Sequence, residues 1–429
     1  MSFYDQRAAR TKAFCEDRFG MFIHWGLYSI PARAPHAEWI KFGEQISNED
    51  YQKYFDEFNP VHYNPVEWAK LAKRAGMKYA VLTTKHHDGF CLFDSKFTDY
   101  TAMNTPAKRD LVREYVDAFR AEGIKVGFYY SVIDWYHDDY PIVDGNHPMR
   151  EDEEFKARPR NWENYVTYMH NQVRELCTNY GQIDVFWFDY SYGEMTGEKW
   201  EATKLVEMIR ALQPTAVIDN RLGGDCLSAE PEVYAGDFYS PEQIIPTEGC
   251  LDELGRPVPW EACITLNDYW GYVSQDNNYK SAQIVVRMLI ECVSKGGNLL
   301  INVGPTAKGE FPKGTVKVFE EVAEWMYQNS DSIYGCGKAD LPKPEWGRYT
   351  QRGNKLYAHI FERGAAAFRF DDLQGKVKKA RLLSDGSERV LFEPWYGTKY
   401  QNGAFIQLGS ADLPDPLATV VELELFKEA

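Results

Sequence analysis

Nowhere in the 429 residues does an apolar run reach the roughly 18 residues that a membrane-crossing helix needs. The opening MSFYDQRAAR also lacks the apolar stretch of a secretion signal. The expectation is a soluble, cytoplasmic protein with no membrane partner. Basic residues are in deficit: 48 Lys and Arg stand against 64 Asp and Glu, giving a net charge of −16 and a pI near 5.1. Non-specific attachment to nucleic acid or to an anionic bilayer is thereby excluded, because both depend on cations neutralising phosphates. Paired cysteine spacing is missing too. Cys15, Cys91, Cys177, Cys226, Cys250, Cys263, Cys292 and Cys336 are scattered with no CxxC, so neither a disulfide framework nor a zinc cage is expected and a reducing compartment fits. No GxGxxG follows the first strand-like run, which counts against a dinucleotide-binding sheet. Fixed-period repeats and low-complexity linkers are absent.

What is present is the composition of a folded globule, 44% hydrophobic and 26% charged. The length exceeds what one core usually serves, so two domains are expected. From about residue 18 to residue 304, apolar runs of strand length alternate with amphipathic helical stretches. The runs are 19–25, 78–85, 125–131, 184–190, 216–221, 262–266 and 298–304. Among the helices, NPVEWAKLAKRAG offers Asn64 as cap, Pro65 at the first turn and Gly76 as terminator. RDLVREYVDAFRAEG gathers Leu111, Tyr115, Ala118 and Phe119 on one face and stops at Gly123. This alternation predicts an α/β fold, a (β/α)8-type barrel over residues 1–337. Beyond about residue 340 the pattern changes to short runs (KLYAHIFE, KARLLSD, AFIQLG, VVELELF) between Gly, Asp and Pro turns. These predict a C-terminal antiparallel β-sandwich over 338–429.

Barrel enzymes work at the C-terminal ends of their strands, and polar residues are dense there. His24 and Trp25 end the first run, His86, His87 and Asp88 follow the second, Tyr129 lies near the end of the third with Asp134 just beyond it, Asp189 lies at the end of the fourth, and Asp219 and Arg221 at that of the fifth. Asp189 stands out because Val185–Phe188 deliver a carboxylate to a strand end with little water to solvate it, and burial of an unpaired charge is costly. It reads equally as a catalytic group or as a structural aspartate bonded to loop N–H groups or to Arg221. The His86–His87 pair fits hydroxyl recognition, core imidazoles or metal ligation. Neighbours on an extended strand point to opposite faces, which disfavours one shared metal unless the strand has ended before them. Aromatics make up 15% of the chain, with 12 Trp and 28 Tyr. They suit stacking on sugar rings and core packing alike.

The blocks FGMFIHWGLYSIPA, EWI at 38–40, YAVLTTKHHDGFCLFDSKFTDY, RDLVREYVDAFRAEGIKVGFYYSVIDW, DVFWFDY and SKGGNLLINVGP occur in this order over residues 15–335. Together they resemble the α-L-fucosidases of glycoside hydrolase family 29. The resemblance implies a retaining exo-α-L-fucosidase that needs no cofactor and acts on fucosylated oligosaccharides or glycoconjugates. It makes Asp189 the nucleophile and Trp187 a wall of the sugar site. It assigns His24, Glu38, Trp39, His86, His87 and Tyr129 to the fucose hydroxyls and ring, and Arg221 to the family's arginine block. A retaining mechanism needs a second carboxyl that protonates the leaving oxygen and then activates water. Glu242 in GDFYSPEQIIP is chosen for it, with Glu261 of PWEACITL as runner-up and Asp237 and Glu248 behind. TEGCLDELGRPVP and LGGD depart from the family pattern, so the leaving-group side is unreadable.

Other readings compete. A related α-L-glycosidase or a fucose-transferring enzyme would share the sugar site. A non-catalytic carbohydrate-binding barrel would explain the aromatics, and a metal-dependent barrel hydrolase would use His24, His86, His87 and Asp88. No metal is expected, and self-association stays open.

Overall fold

The computed structural model describes residues 3–363, 367–395, 403–409 and 412–426. The apolar runs become seven parallel strands: β1 (Phe19–Ile23), β2 (Tyr79–Lys85), β3 (Lys125–Ser131), β4 (Val185–Asp189), β5 (Val217–Ile218), β6 (Glu261–Thr265) and β7 (Asn298–Val303). They pair in the order β5-β4-β3-β2-β1-β7-β6. An eighth regular strand is missing between β5 and β6, a departure from the expected pattern with a local cause. Residues 237–242 occupy that place through isolated parallel bridges, Asp219 to Phe238, Tyr239 to Trp260 and Glu242 to Cys263. Pro241 has no N–H to donate, so an unbroken ladder cannot form there. Cys263 N nevertheless donates to Pro241 O at 3.1 Å and Gln243 N to Cys263 O at 2.9 Å. The curled sheet is thus a (β/α)-type barrel stitched closed by an irregular segment.

Helices pack outside it as their caps foretell. Asn64 caps Pro65–Arg74, Asp110 caps Leu111–Ala121, Asn161 caps Trp162–Asn179 and Ser281 caps Ala282–Ser294, each side chain accepting a first-turn N–H. Gly76 and Gly296 follow two of these helices at φ 84° and 85°, where a side chain would be strained. The helix Phe3–Asp17 had no signal in the sequence pattern. Phe14 from it packs against Tyr79 and Phe238, with ring centroids 5.4 and 4.7 Å away, and helps fill the barrel floor.

Strand alternation decides what faces inward. Val185 and Trp187 of β4 join Phe22, Tyr79, Val81, Tyr129, Val217, Cys263 and Leu300 in the barrel interior, while Phe186 and Phe188 pack outward under the helices. The same period carries Asp189 inward at the strand's C-terminal end.

The short runs after residue 336 form two antiparallel sheets. Six strands pair in the order Glu388–Arg389, Val377–Leu382, Thr419–Leu425, Lys355–Ile360, Gly347–Arg352 and Gly337–Lys338. Three more, Phe368–Phe370, Ala404–Ile406 and Leu391–Phe392, make the facing sheet. Leu356, Ala358, Ile360, Phe368, Phe370, Ile406, Val421 and Leu423 are among the residues of a separate core. The sandwich docks on the barrel through polar anchors: Arg287 donates to Leu417 O and Phe361 O, and Trp325 Nε1 to Ala418 O. Residues 364–366, 396–402, 410–411 and 427–429 of the expected C-terminal domain lie outside the described residues.

Candidate active site

At the C-terminal mouth of the barrel a cavity of about 140 Å³ is lined by the ten residues that the family resemblance and the choice of Glu242 assigned to the site: His24, Glu38, Trp39, His86, His87, Tyr129, Trp187, Asp189, Arg221 and Glu242. Phe22, Tyr190, Cys263 and Trp270 complete the wall. Phe22 lies two residues before His24, and Cys263 is on β6 beside Glu242, so strand alternation carried a signal for both. Tyr190, at φ 79°, and Trp270, on a loop, had none.

Asp189 is 15% exposed and opens onto the cavity. Its Oδ2 accepts the Tyr129 hydroxyl at 2.8 Å, and its Oδ1 accepts Arg221 Nη1 at 3.0 Å. His87 Nε2 is 3.8 Å from Oδ2. Burial pushes the carboxyl's pKa up, but Arg221, His87 and the two hydrogen bonds together outweigh it, and the group lies below its ordinary value. It is an anion in an enclosed apolar setting, paired yet facing open space.

Arg221 ties the site together. Its guanidinium lies 4.4 Å over the Trp187 ring, Nε donates to Ser240 Oγ at 3.1 Å, and Nη1 also meets Glu242 Oε2 at 2.9 Å. Both carboxylates therefore touch one nitrogen, which bounds the Asp189 Oδ1 to Glu242 Oε2 separation below about 6 Å. Glu242 is the more solvated partner, its side chain 43% exposed.

The histidines are neutral and oriented. Asn302 donates its amide to Trp270 O, so its Oδ1 accepts from His24 Nδ1 at 2.6 Å and leaves His24 Nε2 as an acceptor. Ser131 gives its proton to Ile133 O, so its Oγ accepts from His87 Nδ1 at 2.7 Å. Burial lowers the pKa to about 3 for His24 and about 4 for His87. His86 is likewise pushed well down by burial and by the two neighbouring imidazoles. The opposite-face expectation for His86 and His87 does not apply: β2 ends at Lys85, and the turn beyond it brings both rings to the cavity, centroids 4.0 Å apart. Among the described residues no cluster of three or more His, Cys, Asp or Glu is placed to hold a metal ion. Glu38 accepts Gly271 N at 2.8 Å, and burial lifts its pKa to about 7. Trp39 packs edge-on against His87 at 4.9 Å.

The other carboxyls sit elsewhere. Glu261 opens β6 at the barrel floor, fully buried, and accepts Trp187 Nε1 at 3.1 Å and the Tyr79 hydroxyl. Burial lifts its pKa to about 7, but it does not reach the cavity. Asp237 is buried and saturated by Arg10, Arg210 and Ile218 N. Glu248 lines a separate cleft against the sandwich. Asp134 is locked to Lys85 at 2.9 Å, and Asp88 accepts the Tyr51 hydroxyl and Phe90 N.

Comparison with known proteins agrees with this geometry. The Alpha-L-fucosidase family model matches residues 4–331. The Alpha-L-fucosidase of Dictyostelium discoideum is 26% identical over 80% of this chain and 76% of its own length. The Plasma alpha-L-fucosidase of Homo sapiens is 29% identical over 75% and 68% respectively. Among solved structures, alpha-L-fucosidase isoenzyme 1 from Paenibacillus thiaminolyticus superposes with a TM-score of 0.96 at 61% identity, covering 98% of this chain and all of that one. A GH29 alpha-L-fucosidase from Bacteroides thetaiotaomicron, trapped as a covalent intermediate with 2-fluoro-fucosyl fluoride, superposes at 0.83 with 30% identity, covering 97% and 96%. With a family match over some three quarters of its length and the architecture of solved members, this chain belongs to the alpha-L-fucosidase family, GH29.

Proposed function

We propose that the protein is a retaining exo-α-L-fucosidase that removes terminal α-L-fucosyl residues from oligosaccharides or glycoconjugates. The observation that carries this reading is the pair of carboxylates on one arginine nitrogen, less than about 6 Å apart. Retaining glycosidases separate their two carboxyls by about 5–5.5 Å, whereas inverting ones leave roughly 6.5–9.5 Å for a water. Asp189, ionised and held by Tyr129 and Arg221, attacks the anomeric carbon while Glu242 gives its proton to the departing oxygen. Water then enters, Glu242 takes its proton, and the hydroxide displaces Asp189 from the sugar.

The cavity of about 140 Å³ falls well short of the roughly 300–1,000 Å³ of clefts that take drug-sized ligands. That supports a pocket for one terminal ring. His24 Nε2 accepts hydroxyl protons, Glu38 and His86 add polar contacts, and Phe22, Trp187 and Trp270 offer an apolar wall for the methyl group of a 6-deoxy sugar. The eight cysteines, all unpaired, support a reducing, cytoplasmic location.

The test is hydrolysis of an aryl α-L-fucoside by Asp189→Ala and Glu242→Ala, with and without azide. Asp189→Ala loses at least about three orders of magnitude in kcat, the scale of a missing covalent nucleophile. Glu242→Ala is rescued by azide on a good leaving group and yields the retained fucosyl azide. Asp189→Ala activity within about tenfold of wild type excludes the nucleophile role. Absence of azide rescue removes Glu242 from the mechanism.

A further inference from the structure

Glu242 sits on backbone that makes no regular ladder. Upstream it is fixed by the Cys263 bridges. Downstream, Gln243 turns through φ 57° and bonds Cys263 and Thr265 of β6, but Ile244 is exposed and residues 244–259 contain no helix or regular strand. Among the described residues the Glu242 carboxyl ion-pairs only with Arg221. A proton donor needs firmer placement than this, because a shift of about 1 Å in a reacting group can cost about a hundredfold in rate.

The exit of the loop is held from its far side as well. Lys295, which caps the helix Ala282–Ser294, donates from Nζ to Pro246 O at 2.8 Å. Its own carbonyl abuts Gly249, which has φ 91° and where an added Cβ would come within 2.7 Å of that oxygen. One residue thus bonds the loop four positions beyond Glu242 and lies close against it seven positions beyond. Lys295 Nζ also meets Glu291 Oε1 at 2.5 Å, and Glu291 Oε2 meets Arg348 Nε at 2.5 Å on the sandwich strand Gly347–Arg352. Burial acts to raise the Glu291 carboxyl, but Arg348 and Lys295 outweigh it and hold the group below its ordinary value. All three side chains are only 15–20% exposed. Between the loop and the sandwich lies an open cleft of about 510 Å³, with Ile245, Thr247 and Glu248 on one side and Leu341, Pro342 and Tyr349 on the other. Lys295, Glu291 and Arg348 also line this cleft, and their ionic chain joins the loop to the sandwich there.

We propose that Lys295 and Arg348, acting through Glu291, are positioning residues for Glu242, and that the C-terminal sandwich thereby helps to place the proton donor. The inference rests on Glu242 being the acid/base. A structural anchor alone predicts uniform losses. A positioning role predicts losses that depend on how much the leaving group needs a proton.

The experiment measures kcat/KM on 2,4-dinitrophenyl α-L-fucoside, which departs unprotonated, and on phenyl α-L-fucoside, which needs the acid. The variants are Lys295→Met, Arg348→Met, Lys295→Arg and, as reference, Glu242→Gln, each checked by thermal denaturation. Lys295→Met and Arg348→Met are expected to lose about ten- to a hundredfold more on the phenyl than on the dinitrophenyl substrate, and Lys295→Arg to recover most of it. Should Lys295→Met not fold, Arg348→Met carries the same test from the sandwich side. Equal losses on both substrates, or none, overturn the proposal. A leaving-group bias in Glu242→Gln but not in the Lys295 and Arg348 variants overturns the positioning role alone. Its absence in Glu242→Gln as well overturns the acid/base assignment and this inference with it.

Discussion

Replacing Arg221 with Met should move the acid limb of activity toward neutral pH. In the folded protein, burial acts to raise the Asp189 carboxyl and Arg221 is the largest influence acting against it. The ion pair is 3.0 Å long with both side chains at most 20% exposed. A cation at such range lowers a carboxyl by about one to three pH units. Removing it leaves the Tyr129 hydrogen bond and a neutral His87 against the burial, so the carboxyl rises. Attack needs the anion, hence kcat/KM falls at low pH first. Each pH unit by which the carboxyl rises cuts the anion's share up to about tenfold at pH values below the new midpoint, so Arg221→Met should lose more activity than wild type as the pH falls from 7 to 5. The assay is kcat/KM against pH on 2,4-dinitrophenyl α-L-fucoside, whose leaving group needs no acid, so that the limb reports the nucleophile. Arg221→Lys supplies the control: the charge stays and the limb moves little, while kcat falls because an ammonium cannot span Asp189, Glu242 and Ser240 as the planar fork does. An acid limb that stays in place or moves lower in Arg221→Met refutes the reasoning.

Glu261→Gln should retain activity within a few fold, with no azide rescue and no leaving-group bias, because Glu261 supports the floor of the barrel rather than the reaction. Folded Glu261 keeps its proton up to about pH 7 against an ordinary 4.5, so stability falls as pH rises through that window. The variant therefore gains up to roughly 3 kcal/mol above pH 7, at about 1.36 kcal/mol per pKa unit, and nothing below pH 4.5; equal melting shifts at pH 4 and pH 8 contradict this. Lys85→Met strands Asp134 in a site where both side chains are at most 1% exposed, and should cost about 3–5 kcal/mol in urea unfolding at pH 7. Lys85→Met with Asp134→Leu should recover most of that loss, and a single-variant cost below about 1 kcal/mol counts against an uncompensated buried charge.

Much of the barrel was legible because its strands are buried on both faces and read as apolar runs bounded by capped helices. All seven runs became strands, and alternation along β4 sufficed to aim Asp189 inward beside Trp187. Where local rules stop, so does legibility. The period-two argument separated His86 from His87, yet the turn after Lys85 reunites them. The helix Phe3–Asp17 carries so little amphipathic contrast that only its contacts with the barrel floor reveal why it folds. Trp270 lies on a loop, and its place in the wall depends on Asn302 holding its carbonyl.

The two carboxylates show the same division within one site. Asp189 stands on a strand paired on both sides, with Ser131 as its register partner on β3 and Val217–Ile218 on the other flank, so its position follows from the pleat. Glu242 stands where Pro241 interrupts pairing, and what locates it is tertiary: Arg221 across the cavity, the Cys263 backbone beneath it and Lys295 at the loop's exit. No local sequence pattern encodes those three contacts, and only the family resemblance pointed to the residue. On the proposed reading, strand geometry fixes Phe22, Tyr129, Trp187 and Asp189 in the pocket, whereas the side that would face the leaving group depends on the irregular stretch from 237 to 259. On that reading, changes of length or composition there would alter which leaving groups are accommodated and protonated without disturbing the residues on the strands, so the strand-borne part of the pocket is readable from this sequence and the linkage preference is not.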